Sequence, residues 1–176
     1  MTFSPEWLAA FFAGVSLLGA VFGYFGSRSV AYRAFRLEWT REVLNWGGKA
    51  VDSLSVAHTF AKHGFEIGEV GERKRKSILA DISSLADRGR FFFENKPHGR
   101  FGIEKPTAYR GIRPDLLTYL IRAYQALENL PSGMKSENIS EQIFEQKRQF
   151  VSELQRIVDT RWLSKRANYK VQKATL

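Results

Sequence analysis

Trp7-Leu-Ala-Ala-Phe-Phe-Ala-Gly-Val-Ser-Leu-Leu-Gly-Ala-Val-Phe-Gly-Tyr-Phe25 contains no charged side chain. Wound as a helix rising about 1.5 Å per residue, the stretch comes close to crossing a hydrocarbon core of roughly 30 Å. A soluble helix seldom stays uncharged on every face for so long. The residues ahead of it, Met1-Thr-Phe-Ser-Pro-Glu6, lack the positive segment that opens an export signal. One transmembrane helix over residues 7–26 is therefore predicted, ahead of a signal peptide or a soluble helix buried on all sides.

The distribution of lysine and arginine sets the orientation, because the flank richer in them stays in the cytoplasm. All 27 of them lie at or beyond Arg28, with Arg33, Arg36 and Arg41 following closely, whereas Glu6 is the only charge ahead of the span. The N-terminus is expected outside and the remainder in the cytoplasm, which places the protein in the inner (plasma) membrane. Trp7 and Tyr24 fall where interfacial aromatics belong. The whole chain carries a formal charge of +9, which rises to +10 once Glu6 is set aside. So basic a surface favours anionic partners, and membrane lipid is the nearest. The chain has no cysteine, which excludes disulfides, thiolate metal sites and a cysteine nucleophile.

Beyond the span about 150 residues remain, enough for one domain with its own core. From Ser29 to about Lys62 there is no proline, and Leu37, Leu44, Val51 and His58 recur every seven residues, with Leu54 and Ala61 beside them. This reads as a long helix continuing out of the membrane. Gly47-Gly48 marks a kink, a close helix crossing, or a short break between two helices. His63 to Gly71 reads as a glycine-rich loop. A second helix is predicted from Glu72 to about Asp87, with Ile78, Leu79, Ile82 and Leu85 inward. Its first turn holds Arg73-Lys-Arg-Lys76, cations at the unfavourable end of the dipole, read as a solvated or lipid-facing run.

Pro114 suits the start of a short helix over Asp115 to about Asn129, whose apolar set is Leu116, Leu117, Leu120, Ile121, Tyr124 and Leu127; Pro131-Ser-Gly133 ends it. The last helix is predicted from Glu137 to about Lys165, with Ile139, Ile143, Phe150, Leu154 and Ile157 on one stripe and Phe144, Val151 and Val158 beside it. Two stripes suit a bundle better than a coiled-coil seam. The expected fold is all-α, one N-terminal transmembrane helix continuing into a cytoplasmic helical bundle. Its parts are the span over 7–26, a basic domain over 28–166 and a flexible basic tail over 167–176.

Within the span, Ala9, Ala13, Ser16, Ala20, Gly23 and Ser27 line up at spacings of four and three, and Gly19 with Gly23 makes a GxxxG. Small side chains let two backbones approach where lipid removes the hydrophobic drive, so this face suits a homo-oligomer, the alternative being a plain anchor.

Residues 88–114 are irregular and dense in chemistry. Arg88, Arg90, Lys96, Arg100, Lys105, Arg110 and Arg113 face only Glu94 and Glu104, with Phe91, Phe92, Phe93, Phe101 and Tyr109 interleaved. Cations for phosphate and rings for bases are what a nucleotide or nucleic acid requires. Arg88, Arg90, Lys105, Tyr109, Arg110 and Arg113 are the candidate anion-binding residues, and glycines 89, 99, 102 and 111 would let backbone amides approach a ligand. In the competing reading the phenylalanines plug the bundle while the arginines cap helices and pair with Asp81, Asp87 and Asp115. Neither GxxxxGK[ST] nor GxGxxG is present.

The block Arg88-Gly-Arg-Phe-Phe-Phe93 with Tyr109-Arg-Gly111 resembles small bacterial membrane-anchored helical proteins of mobile-element and antiviral-defence loci. The resemblance implies a place in defence and supplies no catalytic residue. Only three histidines occur, His58, His63 and His98, badly spaced for a metal. Glu66, Glu69 and Glu72 fall largely in the glycine-rich loop. With no nucleophile, base and orienting group in view, no catalytic residue, metal or cofactor is expected. Two functions compete: a membrane effector or scaffold that self-associates or docks a protein partner encoded nearby, and a tethered module that binds a nucleotide or nucleic acid.

Overall fold

The computed structural model describes residues 5–64, 68–130 and 134–158; within 5–29 it describes the backbone and the side chains of Ser16, Tyr24 and Arg28. Four α-helices follow one another: α1 (Pro5–His63), α2 (Glu69–Gly89), α3 (Asp115–Glu128) and α4 (Glu137–Ile157). A 3-10 turn at Thr107–Tyr109 and one antiparallel bridge between Lys96 and Ile112 complete the regular structure, and the described residues contain no strand. The chain is all-α, and it divides into two units, Met1–Glu42 and Val43–Leu176.

The first unit is helical backbone from Pro5, without a break at Gly14, Gly19, Gly23 or Gly26. Ser16, Tyr24, Arg28 and every residue from Val30 to Arg36 are exposed. Among the described residues no helix is long and apolar enough to cross a membrane. Most side chains of the predicted span over 7–26 lie outside the described residues, including Ala9, Ala13, Ala20 and Gly23 of its small-residue face.

The second unit is held by a seam that keeps Leu54 and Ala61 of the predicted set but not its seven-residue repeat. Leu44 is exposed and Val51 and His58 are half-buried; the buried positions of α1 are Val43, Trp46, Gly47, Ala50, Leu54, Ala57, Phe60 and Ala61. The bulky seven-residue repeat lies beside the true seam, which uses alanine and glycine because neighbouring helices pass close. Gly47 is one such crossing: a Cβ there would overlap the end of the Leu154 side chain from α4, whereas a Cβ on Gly48 would meet nothing within 4 Å. Gly47-Gly48 thus marks a close crossing in an unbroken helix. Trp46 is the centre of this end of the core, 5% exposed. Its indole N–H donates to the Leu85 carbonyl over 2.9 Å, and its ring lies 5.6 Å from those of Phe93 and Phe150 and 6.0 Å from Phe92. A tryptophan buried in this way contributes both apolar area and a satisfied donor.

Helix α2 begins three residues before its expected start and ends two after, with Gly68 ahead of it. The early start brings Glu69 and Glu72 into the first turn, where the dipole favours acids. They offset the basic run 73–76, which is not uniformly solvated. Arg75 makes a two-pronged pair with Glu72 at 2.9 and 3.0 Å and donates to the Glu128 carbonyl at the C-terminus of α3. The inward set Ile78, Leu79, Ile82 and Leu85 is buried as predicted. Helix α3 spans Asp115–Glu128 and buries Leu116, Leu117, Leu120, Ala123, Ala126 and Leu127, leaving Ile121 and Tyr124 half-exposed.

Helix α4 is capped by the Ser136 hydroxyl, which accepts from the Ile139 N–H at 3.3 Å, while the Ser136 N–H donates to Ala61 on α1. Its buried stripe is Ser140, Ile143, Phe150 and Leu154, so Ile139, Phe144 and Ile157 flank the core rather than enter it. The helix stops at Ile157, with Val158 extended (ψ 94°), short of the predicted Lys165. Residues 159–166 and the predicted tail 167–176 lie outside the described residues.

Candidate functional site

The loop between α2 and α3 grows out of the C-terminal turn of α2. A helix leaves its last carbonyls without partners, and here the following turn supplies them: Arg90 N–H donates to Asp87, Phe91 to Arg88, and Phe92 and Phe93 both to Gly89. Gly89 itself is packed tightly, since a Cβ there would overlap Leu117 and come within 2.7 Å of the Trp46 ring. The tight turn sends the first phenylalanine to solvent and the next two inward. Phe92 and Phe93 are half-buried against Trp46, while Phe91 is exposed.

Farther on, Lys96 and Ile112 exchange both backbone hydrogen bonds (2.9 and 2.8 Å), and the Gly111 N–H donates to Phe101. Gly111 adopts φ +83°, and a Cβ there would collide with the Lys96 carbonyl. A side chain would break the bridge that closes the tip 97–111. The glycines at 89 and 111 therefore serve packing and turn geometry; the Gly111 amide is engaged within the loop and does not face a ligand.

Of the six candidate anion-binding residues, the fold gathers some. Arg90 is the brace of the loop, its side chain 11% exposed. Its guanidinium reaches Asp87 (3.4 Å), Asn95 (3.5 Å) and the Ala108 carbonyl (3.3 Å) and stacks 4.1 Å over the Tyr109 ring. Tyr109 donates its hydroxyl to Asp87 at 3.1 Å. Arg113 stands close enough to Arg90 and Asp87 to feel both charges. Its pKa is lowered, first by burial and then by Arg90, with Asp87 opposing, and its Nε has no hydrogen-bond partner. Of the two, Arg90 makes the ion pair with Asp87. Arg110 is turned away from this group: it is exposed and donates to the Lys105 carbonyl at 2.8 Å. Lys105 lies 5.6 Å over the Phe101 ring. Arg88 is exposed.

A groove of about 670 Å³ runs between α2 and the 3-10 turn, lined by Ala80, Ser83, Ser84, Asp87, Arg88, Arg90, Phe91, Ala108 and Tyr109. It joins three of the six residues, Arg88, Arg90 and Tyr109. Arg110 and Lys105 belong to the tip instead. Of the acids expected to pair with the arginines, Asp87 pairs with Arg90, and among the described residues Asp81 and Asp115 make no ion pair with the arginines of the loop. Sequence reasoning missed Asn95 as a partner and Trp46 as the platform, although Trp46 stands at helical spacing from Val43 and Ala50. His58 packs at 5.3 Å on Phe144, and among the described residues no group of three acids and histidines could hold a metal ion.

No family model matches this chain, and neither a curated protein nor a solved structure is significantly similar to it.

Proposed function

We propose that this chain is a single-pass membrane effector or scaffold. Residues 7–26 cross the inner membrane with the N-terminus outside, the span associates with copies of itself, and the basic helical unit in the cytoplasm docks a protein partner. The setting is bacterial antiviral defence, on the resemblance of residues 88–93 and 109–111.

The observation that carries the reading lies in the first unit. The backbone of α1 is helical throughout the charge-free stretch, and the side chains described from Ser16 to Arg36 are all exposed, with Tyr24, Val30, Tyr32 and Phe35 among Arg28, Arg33 and Arg36. Aromatic and basic residues mixed on a helix as it leaves an apolar stretch suit the headgroup region. Expressed in bacteria, the full chain is expected in the membrane fraction after an alkaline wash, cross-linking as oligomers that Ala20→Leu with Gly23→Leu weakens. Release of the full chain into the soluble fraction would contradict the anchor; unchanged cross-linking in the double variant would contradict the small-residue interface.

The second reading, a module that holds a nucleotide or nucleic acid, has one observation in its favour: Arg88, Arg90 and the Tyr109 ring line an open groove. Phosphate contacts there would give binding that falls steeply with salt. Absence of binding to oligonucleotides and nucleotides at low salt would dispose of it.

A further inference from the structure

We infer that the tip of the loop between α2 and α3 is a second membrane contact, seated on the headgroups of an anionic bilayer. The inference rests on the membrane reading above and adds to it a site that the span does not provide.

Large apolar side chains are concentrated on this loop. Phe91 is 87% exposed, Phe101 58% and Ile103 61%, with Tyr109 and Ile112 also exposed. A single exposed apolar residue needs no explanation, but five on one loop do. The same loop carries Arg88, Lys96, Arg100, Lys105 and Arg110, all exposed, against Glu94 and Glu104. Apolar rings that dip among headgroups, with lysine and arginine reaching the phosphates, form the usual interfacial pattern.

The backbone fits the same occupant. A loop that enters a poorly hydrated interface must bring its own partners for its amides. The N–H groups of Phe91, Phe101, Ile103, Tyr109 and Ile112 each donate to a carbonyl of the chain, to Arg88, His98, Arg100, Pro106 and Lys96 in turn. The tip is held in shape before it meets any partner, by the Lys96–Ile112 bridge and by the Tyr109–Asp87 hydrogen bond. The inner part of the loop, Phe92 and Phe93, packs on Trp46.

Nucleic acid suits the same surface less well. The Tyr109 ring is covered on one face by Arg90, and Arg90 and Arg110 have N–H groups engaged with Ala108 and Lys105, which leaves less of each fork for phosphate. Ile103 and Ile112 give a base nothing to stack on.

Because the chain has no cysteine, single cysteines report cleanly. The test uses the full chain in vesicles of phosphatidylcholine alone or with phosphatidylglycerol. Phe101→Cys or Ile103→Cys carries a polarity-sensitive fluorophore, and Gln149→Cys on exposed α4 serves as control. In anionic vesicles the labels at 101 and 103 are expected to shift to the blue and to be quenched by nitroxide lipids, while the label at 149 stays in water. Replacing Lys96, Arg100 and Lys105 by alanine is expected to weaken the response by at least about tenfold, and raised salt to diminish it. Labels at both positions that remain in water in both kinds of vesicle would overturn the inference, as would a response to a single-stranded oligonucleotide in place of anionic lipid. Flotation separates the two layers of the reading. A chain that fails to float with phosphatidylcholine vesicles removes the span, whatever the loop does; a chain that floats with its labels still in water removes only the loop contact.

Discussion

Helix α1 is one element with two surfaces. From Val30 to Arg36 every side chain is exposed, among them Tyr32 and Phe35. From Val43 to Ala61 the same helix buries a continuous seam with Trp46 at its head. Helical propensity alone does not separate these lengths, since neither contains proline; what differs is cover. The second length has α2 and α4 against it, through Leu85 and Leu154, whereas the side chains from Val30 to Arg36 are exposed. For that exposed aromatic and basic length, the headgroups of a bilayer are the proposed neighbour.

The comparison is broken most forcefully at Trp46. Trp46→Ala removes the ring shared by Phe92, Phe93 and Phe150 and leaves the Leu85 carbonyl without that donor; a loss of about 3 to 5 kcal/mol is expected from chemical denaturation of the full chain in detergent. Phe35→Ala, on the exposed length, is expected to change stability by no more than about 0.5 kcal/mol. Similar losses at both positions would mean that the first length is covered after all.

Two neighbouring glycines sharpen the contrast within the buried length. Gly47→Leu must displace Leu154 and is expected to cost about 1 to 3 kcal/mol. Gly48→Leu meets open space and replaces the poorest ordinary helix former, a gain of up to about 1 kcal/mol. Opposite signs in thermal or chemical unfolding mark a close crossing; equal signs would favour a hinge.

In the loop the corresponding pair is Arg90 and Arg88. Arg90→Ala strips the Asn95 and Ala108 contacts and the stack on Tyr109, with an expected loss of about 1 to 2 kcal/mol, whereas Arg88→Ala is expected to stay within about 0.5 kcal/mol. Losing the brace is also expected to loosen the tip, seen as faster amide exchange at Gly111 and Ile112.

The smallest effect belongs to His58. Its pKa is lowered from the usual histidine value by burial first, then by Lys147 and Lys62, with Glu141 and Glu137 opposing. The folded state thus prefers the neutral ring: stability is fully present above the unfolded pKa near 6.5 and declines as the pH falls below it. The ring is half-exposed, so a shallow decline is expected in the melting temperature, one that His58→Gln flattens.

Much of the fold was legible in the sequence, because long amphipathic runs carry their own period. Ile78, Leu79, Ile82 and Leu85, or Leu116, Leu117, Leu120 and Leu127, name their inward face directly. On α1 Leu54 and Ala61 are in the buried seam, but the seven-residue repeat lies one position off it, because Leu44 and Val51 outweigh Ala50 and Gly47 in any count of bulk, while close packing selects the small residues. In the loop, composition gave the cast and not the roles. Three consecutive phenylalanines read alike until the end of α2 sends two to Trp46 and one to solvent. Arg90 and Arg110 read as ligands because their acceptors, the carbonyls of Ala108 and Lys105, are backbone groups that leave no mark in a sequence. The side chains of residues 7–26 lie largely outside the described residues, so the span rests on the sequence and on the helical backbone.

The central claim is tested most directly by cysteine accessibility in intact cells, each variant carrying one engineered thiol in an otherwise cysteine-free chain. A membrane-impermeant maleimide is expected to label Thr2→Cys from outside, to leave Leu17→Cys unlabelled even after lysis, and to label Asp52→Cys only once the cells are opened. Ready labelling of Leu17→Cys in lysed cells, with the helix otherwise intact, would contradict a membrane-spanning residue 7–26 segment.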